Sequence, residues 1–215
     1  MIIVMLGAPG SGKGTQAQLI SSVLGMAKIS MSALFRDEIK TGSALGAQLE
    51  KIMDAGSLVP DNITIELLNA KLRYNTALLK GCVLDGYPRT SAQAKHLDRL
   101  LEEMNIKIKV IDLVVTEEVL IKRFMGRYTC ASCGASYHKE YHNPSKDGEC
   151  DYCGSKDFMV RPDDSIEAVK LRLELYVKNT AQLIEHYARK GVLYEINGEQ
   201  GIEEIFTDVK KVLQS

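Results

Sequence analysis

The residues best suited by type and spacing to do chemistry are Gly7-Ala8-Pro9-Gly10-Ser11-Gly12-Lys13-Gly14-Thr15. Glycines at this density let successive backbone N–H groups turn toward an anion. The helix that follows adds the positive end of its dipole, and Lys13 adds a point charge for outer phosphates. The apolar run Ile2-Ile3-Val4-Met5-Leu6 precedes the loop and a helix-like segment from Gln16 to Leu24 follows it. Strand, glycine loop and helix are the context that phosphate binding requires. A plain strand-to-helix turn accounts for one or two glycines, not for four together with Lys13. One feature departs from the general pattern: Gly14 follows Lys13, so the hydroxyl arrives one place late, at Thr15. A Mg²⁺ ion here must lean on phosphate oxygens, water and other carboxylates.

A second constellation is Cys130-x-x-Cys133 and Cys150-x-x-Cys153, sixteen residues apart. Four thiolates at this spacing suit tetrahedral Zn²⁺, with every position taken by protein and none left for a reacting water. The expected role is structural, holding together a segment too small to fold on its own core. Gly134 and Gly154 follow each pair and relieve the turns. Iron in place of zinc, and a zinc ribbon that binds nucleic acid, are the rival readings. Cys82 lies in an apolar strand and reads as a small core residue.

The elements that must position these groups alternate along the chain. Its 215 residues, 45% apolar and 26% charged, are enough for one or two domains with a sizeable core. A net charge of −1 gives no general attraction to nucleic acid or membrane. No apolar run approaches membrane-spanning length and no charged leader precedes the first strand, so a cytoplasmic protein with unpaired cysteines is expected. Strand-like runs recur at Ile2–Leu6, Ala27–Ile29, Cys82–Leu84, Val110–Val115 and Leu193–Ile196, with helical patterns between them. That alternation predicts an α/β fold with a parallel five-stranded sheet covered on both faces. The final helix shows Ile202, Ile205, Phe206, Val209, Val212 and Leu213 on one face. Residues 30–60 and 128–160 break the alternation and read as insertions at the ligand-binding edge of the sheet.

With the phosphate loop, Asp85-Gly86-Tyr87-Pro88-Arg89-Thr90 and the four-cysteine insert in hand, the chain resembles the adenylate kinases, in particular the bacterial long-lid kind with a zinc site. The likeness runs from Met1 to the final helix. It implies a three-layer P-loop core (1–29, 61–122 and 162–215), a helical AMP-binding insert (30–60) and a zinc-containing lid (123–161). It further implies reversible phosphoryl transfer from ATP to AMP giving two ADP, with Mg²⁺ bound to ATP and structural Zn²⁺ in the lid. A monomer with nucleotides as its partners, and neither nucleic acid nor membrane, completes the expectation.

Transfer between nucleotides needs no general base, because the attacking phosphate oxygen is already ionised. The site must align two polyanions, neutralise them and exclude water. By the resemblance, Gly10, Ser11, Gly12, Lys13, Gly14 and Thr15 hold the ATP phosphates, and Arg123 and Arg127 grip ATP. Tyr137, His138 and Gln200 fall at further ATP contacts. Arg36 and Arg89 match the pair that holds the monophosphate acceptor, while Arg161 and Arg172 match those that close on the transferring group and also touch AMP. Ser32, Gly86 and Gln93 line the acceptor site, with Leu58 and Val59 as its apolar floor. Asp85 is the carboxylate for water-mediated Mg²⁺. Lys13, Arg89, Arg123, Arg161 and Arg172 are thus the expected catalytic set.

Plainer readings stand beside several of these. Arg123 and Arg127 are four apart after Thr116-Glu117-Glu118, so on one helix they share a face, and a solvated basic edge is the alternative. Asp164 with Glu167 resembles a capping box. Asp163 and Asp164 could instead tether the lid through Arg127 or Arg161. Leu58 and Val59 read as core residues by type, and His138 as a surface or packing residue. Where the family usually has Thr-Gly-Asp this chain has Met31-Ser32-Ala33, so the roles of that Thr and Asp do not carry over. The competing functions are a UMP/CMP kinase and an ATP-driven switch with a zinc ribbon for nucleic acid or a protein partner.

Overall fold

The computed structural model describes residues 1–73, 81–161 and 164–215. Strand β1 (Ile2–Gly7) is buried along its whole length and lies at the centre of a five-stranded sheet. Around it run β2 (Ala27–Ser30), β3 (Cys82–Asp85), β4 (Ile108–Val114) and β8 (Leu193–Asn197), in the order β2-β3-β1-β4-β8. All pairings are parallel. A strand buried on both faces needs apolar residues on both, and β1 supplies them. Ile2, Val4 and Leu6 point to one core, Ile3 and Met5 to the other. The second core is closed by α1 (Lys13–Leu24) and α9 (Ile202–Gln214), through Ala17, Ile20, Ile205, Phe206 and Val209. The first is closed by α5 (Ser91–Glu103), α8 (Gln182–Arg189) and the helical insert. Each buried Ile, Leu or Val contributes about 1.5–3 kcal/mol relative to exposure, so the two faces together fix the register that brings the strand ends level.

The insert consists of α2 (Met31–Lys40) and α3 (Ala44–Asp54), followed by α4 (Asp61–Arg73). Met31 is 1% exposed and belongs to the core, so its side chain does not face a ligand. Helix α6 (Glu117–Met125) leads through Gly126 into a separate three-stranded antiparallel sheet. Its strands are β5 (Arg127–Cys130), β6 (Ser136–His138) and β7 (Phe158–Met159), in the order β6-β5-β7. Helix α7 (Ile166–Leu175) returns the chain to the main body, and a single π-helical segment, Tyr176–Thr180, joins it to α8.

Two expectations need correction. Arg123 and Arg127 do not share a helix face, because α6 stops at Gly126 and Arg127 opens β5. The ring of His138 lies over Gly126 so closely that an added Cβ would come within 2.4 Å of it. Helix α7 is capped by Ser165, whose hydroxyl accepts from the Ala168 N–H at 3.2 Å, and not by Asp164. The carboxylate of Asp164 is engaged by arginines instead. Asp163, the other candidate tether, lies outside the described residues, as does Pro162.

Candidate active site

Helix α1 begins without a side-chain cap: its N-cap is Gly12, in the left-handed region. The first N–H groups of the helix therefore face the loop, as anion binding requires. Gly7 is held to glycine by a close approach, since a Cβ there would meet the Ser11 hydroxyl at 2.6 Å and the Leu113 carbonyl at 2.8 Å. Lys13 folds back into the cradle, its ammonium donating to the carbonyls of Gly7 and Ala8 at 2.6 Å each. Burial lowers its pKa to about 7, with Asp85 opposing and Arg89 and Arg172 reinforcing. Asp85 ends β3 on the neighbouring strand, its Oδ2 3.4 Å from where a Gly14 Cβ would stand. Absence of a side chain at Gly14 thus leaves the carboxylate room at the mouth of the loop.

The lowered Lys13 pKa makes the binding of a polyphosphate pH-dependent. Above pH 7 the free lysine is largely neutral, whereas a bound polyphosphate favours the ammonium and restores its pKa. At pH 8.5, where ATP is fully ionised, binding should take up close to one proton per chain, and affinity should fall as pH rises above 7. Calorimetry in buffers of different ionisation enthalpy measures the uptake. A Lys13→Met variant should show none, and equal uptake in that variant would assign the proton elsewhere.

The arginines fall into distinct settings. Arg123 donates to the Ser11 carbonyl at 3.3 Å and the Gly198 carbonyl at 2.8 Å, tying α6 to the phosphate loop and to the turn after β8. Arg127 makes a forked pair with Asp164, its Nε donating at 2.8 Å and its Nη2 to the other oxygen. Arg172 lies 3.6 Å from the same carboxylate. Arg161 stays with the lid, its Nη2 3.2 Å from the Ser136 hydroxyl and 3.4 Å from the Gly134 carbonyl. Lys28, whose ammonium is 3.4 Å from the Gly14 carbonyl, has its pKa lowered by burial and by Arg161 and raised by Asp85 and Cys133.

A cleft beside the insert is lined by Ser32, Leu58, Val59, Gly86, Arg89, Gln93 and Arg172. Arg36 touches it indirectly, donating to the Ser32 hydroxyl at 3.1 Å. Arg89 Nε donates to the Gly86 carbonyl at 3.2 Å. Both ends of the Gln93 amide are occupied: its oxygen accepts from the Arg89 N–H at 2.7 Å and its nitrogen donates to Asp61 at 2.7 Å. Asp61 also accepts from the Thr90 hydroxyl at 2.9 Å. Sequence reasoning missed Asp61, and an acidic residue in the first turn of α4 gives no signal of a partner 32 positions away. It missed Asp112 too. That carboxyl is 5% exposed at the level of Leu6, and burial raises its pKa to about 6 against the pull of Lys13.

Tyr137 and His138 are both buried among the lid residues. Tyr137 is 2% exposed and forms the lid's core with Tyr128 and Phe158, stacking on the His142 ring at 5.2 Å. Its hydroxyl donates to Cys150 Sγ at 3.3 Å. His138 is buried against Gly126, its Nδ1 accepting from the Glu140 and Tyr141 N–H groups. Gln200 uses its amide on the Asn197 carbonyl at 3.0 Å, in the same turn whose Gly198 carbonyl holds Arg123.

The four lid cysteines are free thiols whose sulfurs all lie within 4.8 Å of one another. Cys130–Cys153 and Cys133–Cys150 are 3.6 Å apart. A tetrahedron with metal–sulfur bonds of about 2.3 Å has edges of about 3.8 Å, so the donor set fits zinc. Each pair closes the same turn: Gly134 N–H donates to the Cys130 carbonyl at 2.9 Å and Gly154 N–H to the Cys150 carbonyl at 2.8 Å. Cys150 is lowered to about 6: burial opposes, but the Tyr137 hydroxyl and two backbone N–H groups outweigh it. Cys82 is fully buried in β3, which pushes its thiol up to about 12 and leaves it inert.

A phosphate loop that faces a guanidinium-lined cleft across the carboxyl edge of a parallel sheet defines a class, the P-loop phosphotransferases. A family model described as adenylate kinase matches residues 5–192. A Geobacillus adenylate kinase (strain WCH70) is 44% identical over 214 residues, covering 99% of this chain and 98% of its own. Adenylate kinases of Lactococcus lactis (strain IL1403), 42% identical at 99% and 100% coverage, and of Archaeoglobus fulgidus, 41% identical at 100% and 98%, are similar to the same extent. The chain belongs to the adenylate kinase family and is a nucleoside monophosphate kinase. Among the described residues no helix is long and apolar enough to cross a membrane.

Proposed function

We propose that the chain transfers the terminal phosphoryl group of ATP to AMP, reversibly, within a site assembled from the phosphate loop, the insert cleft and the lid. The observation that carries this reading is electrostatic. Lys13 in the cradle is within reach of both Arg89 and Arg172, and those two line the cleft on the other side. Two polyanions placed there would meet between them. The loop N–H groups and Lys13 hold the donor's outer phosphates, Arg123 and Arg127 steady the donor, and Arg36 and Arg89 hold the acceptor's phosphate. Arg172 and Arg161 take up charge on the group in flight. No residue need accept a proton, since the attacking oxygen is ionised.

When bound with ATP, Mg²⁺ would supply charge neutralisation, and Asp85 would hold it through water. The core, the insert and the lid act as three bodies, with boundaries near residues 30, 60, 123 and 161. Closure excludes water, so the phosphoryl group passes to AMP rather than to solvent. A chain working as a monomer in the cytoplasm suits this chemistry, whose partners are nucleotides alone. Zinc held by Cys130, Cys133, Cys150 and Cys153 keeps the lid rigid. Metal analysis should find about one zinc per chain, and chelation should lower the lid's melting transition. Metal-free protein with an unaltered transition would refute the structural role.

Acceptor choice is tested by a coupled assay with AMP, CMP, UMP and GMP at equal concentration. AMP should give the highest kcat/KM. A pyrimidine monophosphate that outruns it would overturn the assignment.

A further inference from the structure

Phe124 has no role in the reading above, yet it sits where the parts of the donor site meet. It lies in the last turn of α6, 5% exposed, between Arg123 and the helix end at Gly126. The Arg127 guanidinium carbon is 4.6 Å from the centroid of its ring and that of Arg172 is 5.5 Å from it. Both distances are within the range in which a ring's quadrupole attracts a cation. The same ring rests on the phosphate loop. A Cβ on Gly10 would come within 2.9 Å of Cε2 and 3.3 Å of Cδ2. Gly10, at φ +85°, thus has two reasons to be glycine, and one of them is the ring.

We propose that Phe124 is a positioning residue for phosphoryl transfer, its ring face setting Arg127 and Arg172 at a fixed height over the loop. This rests on the reading of the chain as an ATP:AMP phosphotransferase. Two guanidinium groups brought to one place repel each other, and Asp164, 2% exposed, pairs with both. The ring supplies further attraction without a charge that would compete with phosphate for the arginines. It is also rigid, so the two cations keep their spacing when nucleotide displaces water. An aliphatic side chain of similar size could fill the volume and would still separate α6 from the loop. It would give the guanidiniums no oriented partner. Arg127 comes from the lid and Arg172 from α7, and the ring touches the loop itself. The ring thus ties the lid side of the boundary near residue 123 to the core at two points, Arg172 and Gly10.

The test replaces Phe124 with phenylalanine carrying one, two or three ring fluorines, which weakens the quadrupole at nearly constant volume. Phe124→Leu is made alongside as the apolar control. In the holoenzyme, kcat should fall stepwise with each fluorine, reaching roughly a tenfold loss that Phe124→Leu matches. KM for AMP should stay within about twofold, and zinc content and Tm should hold across the fluorine series. A flat kcat series, or a loss that follows Tm alone, would overturn the positioning role and leave Phe124 as packing. If the wild-type chain forms no ADP from ATP and AMP, the functional reading fails first, and the inference with it. That outcome is told apart by the unsubstituted enzyme.

Discussion

Arg172→Ala should lose roughly 10³-fold or more in kcat, because an arginine that meets the transferring phosphoryl group carries effects of 10³–10⁵. The expectation comes from where this residue stands. It lines the acceptor cleft, lies 3.6 Å from Asp164 and 5.5 Å from the Phe124 ring, and acts electrostatically on Lys13. Among the arginines described, it joins the donor side to the acceptor side. Folding should survive its removal, since Asp164 keeps its forked pair with Arg127. Arg172→Lys keeps the charge but loses the planar fork, so it should recover no more than about tenfold. Steady-state kinetics with both nucleotides varied, beside a melting curve, decides it. A kcat within a few-fold of wild type at unchanged Tm would remove Arg172 from the chemistry.

Lys13→Met should cost roughly 10³-fold in kcat, or about 4 kcal/mol of transition-state stabilisation. Methionine keeps much of the length and apolar stem, and removes the ammonium that here donates to the Gly7 and Ala8 carbonyls. Those carbonyls hold the Lys13 amine in the cradle, where an arriving phosphate favours its protonated form. Loss of the buried charge should not harm the fold. A half-buried lysine held at a pKa of about 7 is an unfavourable charge that the variant no longer carries. Unchanged or raised Tm with abolished turnover is therefore the expected pair of results. Near-normal turnover would show that the loop's N–H groups alone suffice.

What the sequence made legible was set by local pattern. The cradle, all five strands of the main sheet and the cysteine pairing of the lid follow from period, glycine spacing and ligand spacing. Each holds within a few residues of a strand's end. Ser30, Asp85 and Asn197 extend their strands because the parallel ladder reaches them, which a hydropathy pattern does not register. The misses are residues whose role depends on distant neighbours. Gly126 looks like an ordinary place in a helix, yet the His138 ring on β6 requires glycine there, where α6 ends. Tyr137 falls at an ATP contact by the resemblance alone, and its place inside the lid's small core, bonded to Cys150, has no signal in the local pattern. Asp164 looks like a cap because Glu167 follows at the right spacing. The hydroxyl of Ser165 does that work and leaves the carboxylate for arginines 37 and 8 residues away. The three short strands of the lid were unreadable for a related reason: they gather around clustered cysteines and stacked rings rather than following an alternating pattern.

The central claim is that one cradle and arginines scattered along the chain act on two nucleotides at once, so phosphate moves between them and not to water. Phosphorus NMR of the protein with Mg²⁺, ATP and AMP tests it directly. The account predicts loss of the γ-phosphate signal of ATP matched by growth of ADP alone, no inorganic phosphate, and no change at all when AMP is omitted. Steady release of inorganic phosphate at the same rate with and without AMP would contradict it.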